Sequence, residues 1–361
     1  MDEIKVTYVL NVLNGEPFIQ FQLKSIYDFA FEIIIVEGAY EKFSFASKNG
    51  RSTDNTIEII KNFPDPHNKI KLILNEGYYE DRTEMCNECI KYVNGNVVWQ
   101  IDVDEFYFDK THLYVKEMFE ASEILDRVSF NFLDIFGSLR LKVHGLDGSK
   151  LQSVRRVHRF NKGDYWSTQR PPTFVDSNNV DKVIRQEQLG DEMEKLGHKM
   201  FNLTMLFREQ ILDKYNYYFK KGFTNDTQTW YENVIKSYAV RLNVLNISDY
   251  LTSLSLVEEK LPPIVFDLNE YVIGSGGHFN YVDDSLQITF ASSSASSEFN
   301  ELVKKINTFN NTEKNIFYVM LSFIKTEIAI NRCFNLLEKK IARQKLRRSF
   351  AYLFKKSVLK R

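Results

Sequence analysis

The chain has 361 residues, 43% apolar and 14% aromatic, which excludes a disordered protein and suffices for a large core in two or three structural units. The three cysteines suit a reducing compartment. The net charge of -1 hides a division: Lys339 to Arg361 hold ten Lys or Arg and no acid, leaving 37 bases against 48 acids elsewhere, a balance of -11.

Met1 to Lys5 lead directly into the strand-like "KVTYVLNVL", so no secretory leader is expected. Short apolar, β-branched runs at 4–13, 32–38, 70–74 and 96–103 predict strands, and 18–30, 54–63 and 81–93 between them predict helices. That alternation implies βαβ units and a mainly parallel sheet covered on both faces. Ser52, Thr53 or Asp54 is placed to cap the second helix, which begins near Thr56. Cys86 and Cys89 form a CxxC without a second pair, read as two thiols on a helix rather than a zinc or redox site.

Beyond Phe108, strands are expected at 127–133, 139–143 and 153–160, and the paired prolines of "YWSTQRPPTFVD" mark a loop. Residues 205–260 read as helical until Pro262 and Pro263. A small strand-rich insertion is expected within 264–290, then the linker "ASSSASSEF" and a helical end over 298–361. "NIFYVMLSFIKTEIAI" is interrupted by Lys325 and Glu327 after about ten apolar residues, short of the ~20 that a membrane span requires.

The stretch "VVWQIDVDEFYF" carries Asp102, Asp104 and Glu105 at the end of a segment that otherwise reads as a buried strand. Carboxylates crowded there need protons, cationic side chains or a metal ion. In a parallel α/β sheet, ligands lie outside the carboxyl ends of the strands, which is where this cluster falls.

Taken in order, the strand ends offer Asn14 and Glu16 in "LNGE", Glu37 in "VEGA", the string "GRSTDNT", then Arg82 and Asn87, and finally Asp102-Val103-Asp104. This order resembles the family-2-like glycosyltransferases with the GT-A fold, well over residues 4–108 and more loosely to about 205. It departs where "EGAYEKFSFASKN" separates Glu37 from Gly50. The resemblance implies a Rossmann-like, mainly parallel mixed sheet with helices on both faces, followed by a mostly helical C-terminal region. It divides the chain into a catalytic domain at 1–205, a helical segment at 206–297 with a small strand-rich insertion completing the acceptor side, and a helical region at 298–361.

The function implied is a metal-dependent, inverting transfer of sugar from a nucleotide-sugar donor, UDP- or GDP-linked, to a hydroxyl of a glycan or lipid-linked glycan. Asn14, Glu16, Glu37, Arg82 and Asp102 would contact the donor. Mn²⁺ or Mg²⁺ would be held by Asp104, by Asp102 directly or through water, and by His198, with Glu105 behind them. Asp191 and Glu192 are the candidate bases, with Glu187 and Asp176 as rivals. Arg155, Arg156 and Arg159 either approach phosphate or alternate along an exposed strand. Trp166 is either a sugar platform or loop packing.

In "ARQKLRRSFAYLFKKSVLKR", Leu346, Phe350, Leu353 and Phe354 share one helical face with cations around it. Such a helix over 339–361 docks on an anionic membrane, packs on the body or meets another subunit. A cytoplasmic protein, peripheral on the inner membrane face and serving polysaccharide synthesis, would follow from the first; nucleic acid is not expected as a partner. Two other readings remain. One is a noncatalytic sugar-nucleotide or docking module of the same fold. The other is an aspartate phosphohydrolase, against which Phe106 and the late position of the motif argue.

Overall fold

β1 (Val6–Val12) and β4 (Val97–Gln100) lie side by side and parallel, and nearly every residue in them is buried. Apolar and β-branched runs of this kind belong to strands covered on both faces. β2 (Glu32–Glu37) continues the parallel sheet beyond β1, and β3 (Ile70–Leu74) beyond β2. The crossovers contain α1 (Phe18–Ile26), α2 (Thr56–Lys61) and α3 (Arg82–Ile90). After β3 the chain returns to the other side of β1, so the winding reverses between β1 and β4. A reversal opens a crevice at the carboxyl ends of the two strands.

These strands belong to a computed structural model that describes residues 3–137, 139, 141–145, 153–169, 172–178, 185–207, 210, 244–247 and 250–275. It divides into two compact units: Met1–His144, Ser149–Lys214 and Ser255–Asp283 in the larger, and Gly145–Gly148, Tyr215–Leu254 and Asp284–Arg361 in the smaller.

In the larger unit, β5 (Glu105–Phe106) and α4 (Asp109–Ala121) lead to the long β6 (Leu125–Phe136) and to β7 (Leu141–Gly145), which pairs antiparallel with it. β8 (Ser153–Arg159) then inserts antiparallel between β4 and β6, turning a parallel sheet into a mixed one. β9 (Tyr165–Gln169) and β10 (Pro172–Val175) form a separate hairpin. β11 (Gln186–Gln188), α5 (Gly190–Lys195) and β12 (Met200–Met205) follow, and β12 pairs with both β5 and β6.

Period-two alternation sorts the side chains into layers. Tyr8, Leu10, Ile33, Ile35 and Trp99 face α1 and α4, packing on Ile19, Leu23, Val115 and Phe119. Val9, Ile34, Val36 and Val98 face the other way, onto Met85 and Cys89 of α3 and Trp166 and Phe174 of the hairpin. The Rossmann-like α/β architecture expected from the sequence is the one observed.

Two expectations are corrected. The stretch around the paired prolines, expected to be a loop, contains strands: Tyr165–Gln169 form β9, and Pro172 is the first residue of β10, where a missing N–H is tolerated. The stretch 205–260, expected to be helical, contains the antiparallel pair β13 (Val244–Ile247) and β14 (Tyr250–Leu256), whose "TSLSL" alternates as a strand does. Ahead of the insertion, Pro263 starts the helix α6 (Pro263–Gly274), which buries Val265, Leu268 and Val272 against Phe18 and Phe21 of α1. Residues 276–290, the linker and the helical end with its basic segment lie outside the described residues. Among the described residues, no helix is long and apolar enough to cross a membrane.

Candidate functional site

The loop after β1 and the loop before α2 are bound side chain to backbone. Asn14, in a left-handed conformation with φ 52°, accepts the Thr53 N–H at 2.7 Å and donates to the Ala46 carbonyl at 2.7 Å. Its own N–H goes to Ser52 Oγ at 2.8 Å. Glu16 accepts the N–H and the side-chain amide of Asn55 at 3.1 and 3.0 Å. Asp54 accepts the Glu16 N–H and the Thr56 N–H, both at 3.0 Å, so of the three candidate caps it is the one that serves the start of α2. Glu37, wholly buried at the end of β2, accepts the Ser52 N–H at 2.6 Å and lies 3.4 Å from Arg51. Three residues expected to touch a donor thus build the rim of the crevice.

The insertion after Glu37 is pinned to the same rim. Ala39 N–H donates to the Gly50 carbonyl and Tyr79 N–H to the Ala39 carbonyl. Gly50, at φ +79°, comes so close to Gly77 that a Cβ would overlap its carbonyl oxygen.

Arg82 and the acidic turn face one another across the crevice. Asp81 caps α3 by accepting the Glu84 N–H at 2.9 Å, which sets Arg82 in the first turn. Its guanidinium donates to both Asp102 oxygens, at 3.1 and 3.3 Å. Arg156 comes from β8, donating to Asp102 Oδ2 at 3.0 Å and touching Glu105 Oε1. Glu105 Oε2 in turn accepts the Asp102 N–H at 3.2 Å, and the Glu105 N–H donates to the Asp102 carbonyl at 3.1 Å. Crowded acid is therefore met first by cationic side chains.

Burial would lift Asp102, but Arg82 and Arg156 outweigh it and hold the carboxyl down at about 2. Burial lifts Glu105 to about 8 against the pull of Arg156, with Asp102 and Asp104 adding to the rise. The two acids part because Asp102 has two guanidinium partners and keeps 30% of its side chain exposed, whereas Glu105 shares one and keeps 5%. Arg156 is buried, which disfavours its charge, yet Glu105 and Asp102 keep it firmly protonated.

Beneath this turn a polar layer continues inward. Cys86, one helical turn after Arg82, receives the Asn11 amide at 2.6 Å and the Gln100 amide at 3.5 Å, and Gln100 also donates to Gln169 at 3.1 Å. The two cysteines are free thiols on the buried face of α3, as read from the sequence.

The remaining expected residues have partners other than the acidic turn. His198 is buried, its Nδ1 3.1 Å from Thr111 Oγ1 and its ring stacked on Tyr114 at 4.4 Å; burial and then Lys110 lower its pKa. Asp191, exposed at the start of α5, accepts from Asn131 at 2.7 Å. Glu192 accepts the Leu189 N–H at 3.3 Å and closes the start of that helix. Glu187 is bound by Arg127 and by Ser129, and although burial opposes it these partners hold its carboxyl below the usual range. Asp176 accepts the Asn178 N–H at 2.9 Å. Trp166 is packing: it is 1% exposed, lies against Phe174, and its backbone is bracketed by the Asn87 amide.

Sequence reasoning placed Arg156 either at phosphate or on an exposed strand, and missed its pairing. The signal was slight: Arg155 and Arg156 occupy opposite faces of β8, and only the second faces inward.

The donor chemistry of the turn fits a divalent cation. Among the described residues, no three His, Cys, Asp or Glu side chains gather to hold a metal. Mg²⁺-like ions, however, need only one or two carboxylates and complete their shell with water and substrate phosphate. Asp104 and Asp102 provide hard oxygens of that type.

No family model matches the chain, and no curated protein matches it. Among solved structures, the chain is similar to the mannosyltransferase PcManGT from Pyrobaculum calidifontis in complex with GDP-Man and Mn²⁺, at 21% identity over 36% of each chain with a TM-score of 0.29. It is similar to S. aureus TarS 1-349 in complex with UDP-GlcNAc, at 19% identity over 43% of this chain and 45% of that one, TM-score 0.31. A third is glucosyl-3-phosphoglycerate synthase from Mycobacterium tuberculosis with Mn²⁺, UDP and glucosyl-3-phosphoglycerate, at 16% identity over 38% and 46%, TM-score 0.28. The chain spans less than half the length of each of these three.

Proposed function

We propose that this chain is a glycosyltransferase that moves a sugar from a UDP- or GDP-linked donor to a hydroxyl of a glycan or lipid-linked glycan. One observation carries the reading. The Asp102–Asp104 turn, steadied by Arg82 and Arg156, stands at the carboxyl ends of parallel strands where the winding of the sheet reverses. The order of motifs along residues 4–108 agrees with it.

In this reading Asp104 would hold Mn²⁺ or Mg²⁺, an ion that would supply positive charge for the departing diphosphate. Asp102, its oxygens already engaged by two guanidinium groups, accepts from the donor ribose or reaches the ion through water. Asn14, Glu16 and Glu37 fix the rim on which the nucleoside rests. The acceptor oxygen attacks the anomeric carbon, the bond to the diphosphate breaks, and the acceptor proton passes to a carboxylate. Asp191 and Glu192, at the start of α5, are the carboxylates proposed for that proton, and Glu187 is less suited because Arg127 and Ser129 engage it. Attack opposite the leaving group inverts the anomeric centre. His198 keeps its Nδ1 on Thr111 and, in this reading, would meet the ion through Nε2. The basic segment 339–361 would bring the enzyme to an anionic membrane bearing its acceptor.

A thermal-shift screen of UDP-, GDP- and CDP-sugars with and without Mn²⁺ tests the reading. One donor should raise the melting temperature in a metal-dependent manner; no shift with any donor would overturn it.

A further inference from the structure

Arg156 is 7% exposed, and besides its contacts to Asp102 and Glu105 it carries a buried Nε with no hydrogen-bond partner among the described residues. Buried ion clusters of this sort add little net stability compared with apolar packing, and an orphaned donor makes the balance worse. What the cluster does accomplish is geometric. Glu105 engages Arg156 with one oxygen and the Asp102 N–H with the other, while its own N–H closes the turn on the Asp102 carbonyl. Asp102 is thus fixed from three elements: α3 through Arg82, β8 through Arg156, and its own turn through Glu105.

We infer that Arg156 and Glu105 are positioning residues that set the Asp102 carboxylate for the nucleotide, an inference that rests on the donor-binding reading above. Neither need touch the donor. Their effect passes through Asp102, whose orientation depends on a guanidinium that itself depends on Glu105. Charge-assisted contacts from a second layer are what hold a binding carboxylate to within a fraction of an ångström.

The test uses the full chain, with UDP, GDP and CDP as probes in the presence of MnCl₂, measured by calorimetry. Arg156→Gln should weaken the preferred nucleotide at least tenfold, Arg156→Lys should recover part of that loss, and Glu105→Gln should weaken binding several-fold. Lys142→Gln, which breaks the Lys142–Glu259 pair, serves as a control for general destabilisation and should leave affinity unchanged. If Arg156→Gln does not fold, the isosteric Glu105→Gln carries the test. Wild-type binding that survives both substitutions within twofold would overturn the positioning role alone. Failure of the wild-type chain to bind any of the three nucleotides with Mn²⁺ would overturn the donor-binding reading, and this inference with it.

Discussion

Arg82 opens α3 with its guanidinium 3.1 Å from Asp102, a cation set where the helix dipole disfavours one. The carboxylate offsets that cost, but the pair is about one-third exposed and water screens it. Arg82→Gln should therefore lower unfolding stability by about 1 kcal/mol or less. Arg156→Leu, which takes a donor from both the buried Glu105 carboxyl and Asp102, should cost more, about 3 kcal/mol. Denaturant titrations of the two variants check the ranking, and equal losses would show that burial does not govern these pairs.

That contrast explains what the sequence could reveal. β4 was legible because each of its residues is buried and apolar or aromatic but one, and its acidic sequel stood out against that run. α4 was not, since two of its four buried residues are Thr111 and His112, which leave no clear apolar stripe. Arg156 lies 54 residues after Asp102 and 51 after Glu105, and without those partners in view an inward Arg in "VRRVHR" looks like an outward one. The acids announced a need for positive charge, but the fold had to say which cations met it.

His112 gives the structure a pH dependence away from the acidic turn. Its Nδ1 pairs with Tyr8 Oη at 2.8 Å, its ring stacks on Phe29, and burial drives its pKa down to about 3. The unfolded chain takes up this proton below about 6.5, the folded chain only near 3, so stability is complete above 6.5 and lost as pH falls through that window. The loss from His112 should reach about 5 kcal/mol at the acid end. His198, lowered by burial and Lys110, contributes with the same sign. Stability measured from pH 7 to pH 4 should fall less steeply in His112→Gln than in the wild-type chain.

The CxxC thiols should be unreactive. Burial pushes Cys86 up to about 12 and Cys89 well above its ordinary value, so almost no thiolate exists at pH 8. In a Cys333→Ser background, which removes the third thiol of the chain, labelling by a disulfide reagent should proceed only at the rate of unfolding and accelerate with urea. Fast labelling in native buffer would show that α3 opens readily.

Asn14 allows backbone and side-chain contributions to be separated. Asn14→Gly keeps the left-handed φ and loses the bonds to Thr53 and Ala46, at a cost of about 2 kcal/mol. Asn14→Ala loses the same bonds and adds roughly 1 kcal/mol of left-handed strain. A larger loss in the alanine variant, read from urea midpoints at constant slope, is the expected outcome.

The two aspartates of the turn should fail in different ways. Asp102 directs both oxygens to Arg82 and Arg156, so its share of any cation is reduced before the cation arrives. Asp104 stands in the same turn with its carbonyl fixed by the Leu203 N–H at 2.8 Å, and on the proposed reading its carboxylate would be the one that holds a divalent cation there. Asp102→Asn should therefore weaken nucleotide binding about tenfold, the loss of one charge-assisted contact, while Mn²⁺ still strengthens what remains. Asp104→Ala should abolish the Mn²⁺ enhancement itself and leave only the weak, metal-independent affinity. Calorimetric titrations with and without Mn²⁺ distinguish the two, and an enhancement that survives Asp104→Ala but vanishes in Asp102→Asn would exchange the roles assigned to them.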